Sequence, residues 1–212
     1  MKLHDSLKSL FVPSLTMMMI VFISPLVLAA SEEVNNQVGK LAQFRGTQEE
    51  ERSQLIQQAK TLSSQGDFSG AEENLRKLVK RFPRYAFGHF ELGNVLFQQN
   101  KPEEAINAYR EAIRLNSNHA LAYNGIGIVH ASQNRWTEAI RAYQQALKIN
   151  PNYADALANL AIAFLQNNQQ NEGIAALEKA LDIFKSQRRN ERVFQIEEIL
   201  QRLKTVQQPD IS

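Results

Sequence analysis

Apolar and small residues recur at spacings of three and four over most of the chain after residue 50, a pattern typical of helices that bury one face. Two such stretches follow one another between Ala120 and Tyr153. The residues at this spacing are Tyr123, Ile126, Gly127 and His130 in the first stretch, and Ala139, Ile140, Tyr143, Ala146 and Leu147 in the second. We therefore expect this segment to be a pair of helices joined by a short turn.

The pattern repeats with a 34-residue period, in frames that start at Arg52, Ala86, Ala120 and Ala154. Small residues dominate the twentieth and twenty-seventh columns, where they allow two helix axes to approach closely. The residues in these columns are Ala71, Ala105, Ala139 and Gly173, and then Leu78, Ala112, Ala146 and Ala180. A residue that tolerates left-handed backbone stands near the turn of each frame: Gly66, Asn100, Asn134 and Asn168. Four helix pairs are predicted.

These columns resemble those of the tetratricopeptide repeat (TPR) family. The third frame is the most similar, with Tyr123 in the tryptophan column, Ile126 and Gly127 in the leucine-glycine pair, and then Ala139, Tyr143, Ala146 and Pro151. The first and fourth frames are degenerate, as expected where a stack of repeats ends. The resemblance implies an all-α fold, an α-solenoid of four helix-turn-helix repeats with a C-terminal capping helix.

The repeats predict the division of the rest of the chain. We expect TPR 1 at 47–85, TPR 2 at 86–119, TPR 3 at 120–153 and a degenerate TPR 4 at 154–187, followed by a capping helix at 188–205 and a disordered tail at 206–212. Residues 31–46, rich in Asn and Gln, are predicted to be a flexible polar tether. Thr47 and Glu50 match a capping box, which predicts that the first helix starts near Gln48.

The segment 1–30 differs from the remainder of the chain. Lys2 and Lys8 precede an apolar centre, and small residues follow at Ala29 and Ala30, in the order of a secretory signal peptide. An uncleaved membrane anchor is the alternative, although Pro13 and Pro25 shorten the apolar run. Either outcome predicts that the repeats lie outside the cytoplasm, in a periplasm, a lumen or the medium.

Composition narrows the possible functions. Lys and Arg number 24 against 22 Asp and Glu, so the net charge of +2 does not favour nucleic acid as a partner. The chain has no cysteine, which excludes disulfides, thiolate metal sites and a cysteine nucleophile. The four histidines lack metal-ligand spacing, and no small-molecule substrate is evident. We therefore expect no enzyme activity, no cofactor and no metal.

The family resemblance implies that a ligand binds in the concave groove lined by the first helix of each repeat. Phe87, Phe90 and Phe97 stand at positions that face this groove in the family. They share one side of a helix and would bury apolar parts of a guest. The asparagines could pair with its peptide backbone. The predicted groove residues are Phe87, Phe90, Asn94, Phe97, Leu121, Asn124, Ile128, Asn159 and Ile162.

These features predict an exported adaptor or scaffold that holds a peptide segment or helix of a partner protein and aids the assembly or localisation of a complex. Two alternatives stay open. One is a structural solenoid that associates with itself, and the other is a scaffold that remains anchored through its N-terminal helix. In that second case the membrane would be contacted only through the uncleaved N-terminal segment.

Overall fold

The computed structural model describes the backbone from residue 25 to residue 207 and the side chains from residue 32 to residue 205. This part of the chain consists of helices joined by short turns, and it contains no strand. The helices are α1 (Pro25–Ser64), α2 (Phe68–Arg81), α3 (Ala86–Gln98), α4 (Pro102–Leu115), α5 (Ala120–Ser132), α6 (Trp136–Ile149), α7 (Ala154–Gln166), α8 (Gln170–Ser186) and α9 (Asn190–Gln207). The described part of the chain divides into two compact units between Thr47 and Gln48.

The helix starts in the larger unit follow the 34-residue period. Helices α3, α5 and α7 begin at Ala86, Ala120 and Ala154, the first residues of the second, third and fourth frames. Each packs on the second helix of its own repeat, and α3 and α5 also contact the first helix of the repeat that follows. The predicted all-α solenoid is confirmed.

The turns inside the repeats have left-handed backbone, as predicted. The φ angles are +82° at Gly66, +60° at Asn100, +57° at Asn134 and +58° at Asn168. Glycine and asparagine are the residues that adopt this conformation at least cost. Arg188, at the end of α8, also has a φ of +57°. No glycine or asparagine marks that position, and the sequence analysis missed it.

Two tyrosines of the second helices fill spaces left by glycines of the first helices. A Cβ atom added at Gly93 would lie 2.6 Å from Tyr109 Cε1, and one added at Gly125 would lie 2.7 Å from Tyr109 Cζ. A Cβ atom at Gly127 would overlap the ring of Tyr143 in the same way. The glycines are therefore needed for this packing, and they bring both tyrosines next to the faces of α3 and α5.

The N-terminal unit corrects two expectations. Residues 31–46 are helical as part of α1, so they are not a flexible tether. Their polarity reflects solvent exposure, and the Glu, Gln, Lys, Leu and Ala of this segment are good helix formers. The helix also passes through Thr47, whose hydroxyl donates to the Phe44 carbonyl oxygen at 2.8 Å, so Thr47 does not cap a helix start.

Four large apolar side chains of this unit are more than half exposed. They recur every three or four residues along α1 and so lie on one side of it. The exposed fractions are 59% for Val34, 57% for Val38, 61% for Leu41 and 57% for Phe44. This set is called the N-terminal stripe below.

Helix α9 stands where the sequence predicts the capping helix, at Asn190–Gln207 in place of 188–205. Its Ile196 and Leu200 are buried in one apolar cluster with Phe184 of α8. Most of the expected signal peptide, residues 1–24, lies outside the described residues, as do 208–212 of the expected disordered tail. Within residues 25–207, no helix combines the length and hydropathy needed to cross a bilayer.

Candidate binding groove

A cavity of about 410 Å³ opens among the first helices of successive repeats. Side chains of α1, α3 and α5 form its walls, because the 34-residue period places equivalent helix faces next to one another. Six of the predicted groove residues line it: Phe90, Asn94, Phe97, Leu121, Asn124 and Ile128. We call it the first cavity.

A second cavity, of about 290 Å³, continues along α5 and α7. It shares Ile128 with the first cavity and contains two more predicted residues, Asn159 and Ile162. Trp136 and Tyr143 complete one side of it. The side chains of Leu121 and Ile162 are 43% and 44% exposed, so each cavity offers an accessible apolar surface.

Phe87, the remaining residue of the predicted groove set, lies outside both cavities. Its ring centroid is 5.8 Å from that of Phe90, and the Lys60 ammonium lies 5.3 Å from its centroid. Phe90 in turn contacts Tyr109 at 5.9 Å and His119 at 5.1 Å between ring centroids. The aromatic residues therefore pack largely on one another, and Phe90 presents only part of its surface to the first cavity.

The three predicted asparagines hydrogen-bond within the protein. Asn94 accepts from the Tyr109 hydroxyl at 2.8 Å and donates to Glu91 at 3.2 Å. Asn159 donates to Asn124 Oδ1 at 3.2 Å, and Asn124 is only 6% exposed. A carboxamide has two donor hydrogens and two acceptor lone pairs. These bonds therefore hold the helices in register and leave part of the capacity of Asn94 and Asn159 for a guest.

One ion pair borders the first cavity. Lys60 Nζ lies 3.1 Å from Glu91 Oε1, and the two side chains are 51% and 15% exposed. The pair crosses from α1 to α3 and largely neutralises the charge at this edge. Burial, with a smaller contribution from the negative charge of Glu91, raises the pKa of Tyr109. Tyr109 therefore stays protonated and donates its hydrogen bond throughout the physiological pH range.

Sequence reasoning missed the tyrosines of the second helices as groove residues. Tyr109 lines the first cavity and Tyr143 lines the second. The available signal was the glycine column of the first helices together with the tyrosines of the twenty-fourth column, since a missing side chain on one helix admits the ring from the other. Trp136, at the start of α6, was missed as well, although it lines the second cavity.

His119 and His130 both lie at partly buried positions in the repeats. His119 precedes α5, and its Nδ1 accepts from the Ala122 amide at 3.3 Å. Burial lowers the pKa of His119, which favours the neutral ring that can accept this bond. Burial also lowers the pKa of His130. Within residues 32–205, no three side chains of the kinds that ligate metals lie close enough together to hold an ion.

A model of the tetratricopeptide repeat matches residues 56–120, 90–154 and 124–188, together more than half of the chain. The chain belongs to the tetratricopeptide repeat family. Each match spans two successive repeats and begins one period after the match before it, in agreement with the period read from the sequence. No curated protein matches the chain at a significant level.

Three solved structures illustrate the similarity of fold. MamA is 28% identical over 65% of this chain and 81% of its own, with a TM-score of 0.59. PilF of Pseudomonas aeruginosa is 22% identical over 74% of this chain and 78% of its own, with a TM-score of 0.60. YrrB, described as a TPR protein with an unusual peptide-binding site, is 20% identical over 66% of this chain and 71% of its own, with a TM-score of 0.55.

Proposed function

We propose that this TPR protein is an exported adaptor that holds a segment of another protein in the groove formed by the two cavities. The first cavity carries this proposal. Its volume of about 410 Å³ lies within the range of about 300 to 1,000 Å³ that is usual for ligand sites. Its walls combine apolar side chains with a few polar groups, and this combination gives both affinity and orientation.

The arrangement of the cavities favours an elongated guest. Ile128 belongs to both, so a guest could follow the groove from α3 past α5 to α7. Leu121 and Ile162 would each cover one of its apolar side chains, and burial of one such side chain contributes about 1.5–3 kcal/mol. YrrB, which has the same fold and is described as peptide-binding, supports the choice of a peptide segment.

The charges of the groove indicate the kind of segment. Lys60 is the one basic residue among the positions that line the two cavities, and it is already paired with Glu91 at 3.1 Å. A cluster of basic residues that would bind a terminal carboxylate is therefore missing from these positions. The proposed guest is an internal segment, held by apolar anchors and neutral hydrogen bonds.

Selection of peptides from a random display library, followed by affinity measurement with the full chain, tests this function. Leu121→Glu places a charge at an exposed position of the first cavity and should weaken the selected peptide at least tenfold. Gln144→Glu, an exposed position on α6 that lines neither cavity, is the matched control and should leave affinity unchanged. Equal affinity of wild type and Leu121→Glu would contradict the proposal.

Export is a separate part of the proposal and rests on the N-terminal sequence. Lys2 and Lys8, the apolar centre and the small residues Ala29 and Ala30 follow the order of a signal peptide. Mass spectrometry of the full chain after expression in a secreting host should find the mature protein beginning after Ala29 or Ala30. An intact N-terminus with the protein in the membrane fraction would indicate the anchored alternative, and an intact soluble cytoplasmic chain would contradict export.

The N-terminal stripe favours self-association as a second candidate function. A helical segment that contains Gly39 and Gly46 is only marginally stable by itself, because each glycine lowers the stability of the helix by about 1 kcal/mol relative to alanine. Covering Val38 and Leu41 with a second copy would stabilise it. Light scattering should then show a dimer or larger species that Val38→Glu with Leu41→Glu converts to a monomer. A monomeric wild type at high concentration would dismiss this candidate.

A further inference from the structure

Two tyrosines at the same position of successive repeats differ in their hydrogen bonding. Tyr109 and Tyr143 are one repeat apart along the chain and are both 2% exposed. The Tyr109 hydroxyl donates to Asn94 Oδ1 at 2.8 Å. Ile128 stands in the third repeat where Asn94 stands in the second, and an isoleucine side chain cannot accept a hydrogen bond. Among the described residues, no acceptor is bonded to the Tyr143 hydroxyl.

The surroundings of Tyr143 offer no replacement acceptor within the described part of the chain. Asn159 lines the same cavity, but its amide donates to Asn124 at 3.2 Å and its carboxamide makes no bond to Tyr143. The Tyr143 ring is buried, but its hydroxyl oxygen is not fully buried and is open to water at the cavity. A guest that displaces this water must replace its hydrogen bond, because an unpaired hydroxyl would then lose its hydration without compensation. Since Tyr143 lines the second cavity, a molecule that enters this cavity can supply the missing acceptor.

We infer that the second cavity is a binding subsite in which the Tyr143 hydroxyl donates a hydrogen bond to a backbone carbonyl of the guest peptide. The inference rests on the proposed function and assigns this hydroxyl a part in it. The guest places an apolar side chain between Ile128 and Ile162, next to the Trp136 ring. Its neighbouring carbonyl oxygen then faces Tyr143.

The charge of the cavity selects a neutral acceptor. Its lining contains no Lys, Arg or protonated His to pair with a carboxylate, and consists of Ile128, Ala131, Ser132, Trp136, Tyr143, Asn159, Ile162 and Ala163. Burial of an unpaired carboxylate there would be strongly unfavourable. An amide carbonyl that accepts a hydrogen bond from Tyr143 costs little free energy to bury. Burial also raises the pKa of Tyr143, so the hydroxyl keeps its proton and acts as a donor at neutral pH.

The matched pair Tyr143→Phe and Tyr109→Phe tests the inference on the full chain, with the tightest peptide of the library selection as the probe. Each variant removes one oxygen and keeps the ring that fills the space beside the glycines. Tyr143→Phe should weaken the peptide about fivefold and leave the unfolding midpoint unchanged. Tyr109→Phe should lower the midpoint, because it breaks the bond to Asn94. Gln144→Glu, which lines neither cavity, is the control for affinity and should leave it unchanged.

A second variant shows whether the peptide occupies this cavity. Ile162→Glu should weaken the peptide at least tenfold, because Ile162 is 44% exposed at the cavity wall and its replacement need not disturb the core. Unchanged affinity in Ile162→Glu or in Tyr143→Phe would overturn the inference and indicate that water alone satisfies the hydroxyl. The proposed function survives that result if Leu121→Glu still weakens the peptide at least tenfold, and it fails with the inference if Leu121→Glu has no effect.

Discussion

The Tyr109 hydroxyl donates to Asn94 Oδ1 across 2.8 Å and so ties α4 to the groove face of α3. Tyr109→Phe removes this bond without changing the packing of the ring. We expect the free energy of unfolding to fall by about 1 kcal/mol, as for other neutral hydrogen bonds, with no change in helical content. Urea denaturation followed by circular dichroism measures it, and Tyr143→Phe, which breaks no bond within the described residues, should show no loss.

The close approach of Gly93 to Tyr109 is a second point at which the structure makes a quantitative prediction. In Gly93→Ala the new Cβ atom would lie 2.6 Å from the ring, so the ring or a helix must move. Overpacking costs about 1–3 kcal/mol, and the higher helix propensity of alanine offsets up to about 1 kcal/mol. We expect the free energy of unfolding, measured by thermal or urea denaturation, to fall by about 1–2 kcal/mol.

Gly46→Ala is the control for that variant. Gly46 is also helical, but no atom lies within 4 Å of its added Cβ atom. Its unfolding midpoint should equal or exceed that of the wild type. If the two alanine variants behaved alike, the close fit of Gly93 and Tyr109 would be contradicted.

The carboxylate of Glu72 makes stability depend on acid pH. Its hydrogen bond from Lys101 at 2.8 Å, together with bonds from Arg76 and Gln99, lowers its pKa from 4.5 to about 2. A carboxylate with a lowered folded-state pKa stabilises the protein fully above the unfolded-state value, and this contribution is lost as the pH falls from about 5 through 2. The stabilisation should be about 1–2 kcal/mol, because the basic partners are partly exposed and solvent screens them.

Glu72→Gln should therefore lower stability at pH 7 and flatten its dependence on pH between 5 and 2. Glu73→Gln serves as the control, since the Glu73 side chain is 69% exposed in its pair with Lys77 and should contribute less than about 0.5 kcal/mol. Urea midpoints measured at several pH values compare the two variants with the wild type. A wild-type curve that keeps its slope in Glu72→Gln would show that other carboxylates cause it.

The left-handed residue at the end of α8 predicts a stabilising substitution. Arg188 has a φ of +57°, a conformation that costs roughly 1–2 kcal/mol in residues other than glycine and asparagine. Arg188→Gly relieves this strain but gives the unfolded chain more freedom, so we expect a net gain of about 0.5–1 kcal/mol. Asn134→Ala changes a residue with the same backbone conformation, and it should lower the free energy of unfolding by about 1 kcal/mol. Relative to the wild type, the unfolding midpoint should rise in Arg188→Gly and fall in Asn134→Ala.

The sequence predicted the repeat fold because its signals are local. Small residues, turn residues and helix periodicity at 34-residue spacing determine where Ala86, Ala120 and Ala154 begin their helices. The same period placed six of the nine predicted groove residues at the first cavity. Two more, Asn159 and Ile162, line the second.

The details that the sequence did not predict depend on contacts between distant residues. Asn124 was expected to face a guest, but its carbonyl accepts from Asn159 in the next repeat. The helical state of residues 31–46 was missed because a polar composition is compatible with either a tether or an exposed helix. Arg188 carries no residue-type signal, although it stands in a left-handed turn that is closed by the Arg189 amide donating to the Phe184 carbonyl oxygen at 3.0 Å.

Photo-crosslinking of the selected peptide to the groove tests the central claim most directly. A benzoylphenylalanine introduced at position 121, on the wall of the first cavity, should crosslink the peptide in high yield on illumination. The same residue at position 144, on the exposed side of α6, should give only background. Crosslinking that is equal at the two positions, or stronger at 144, would contradict binding in the groove.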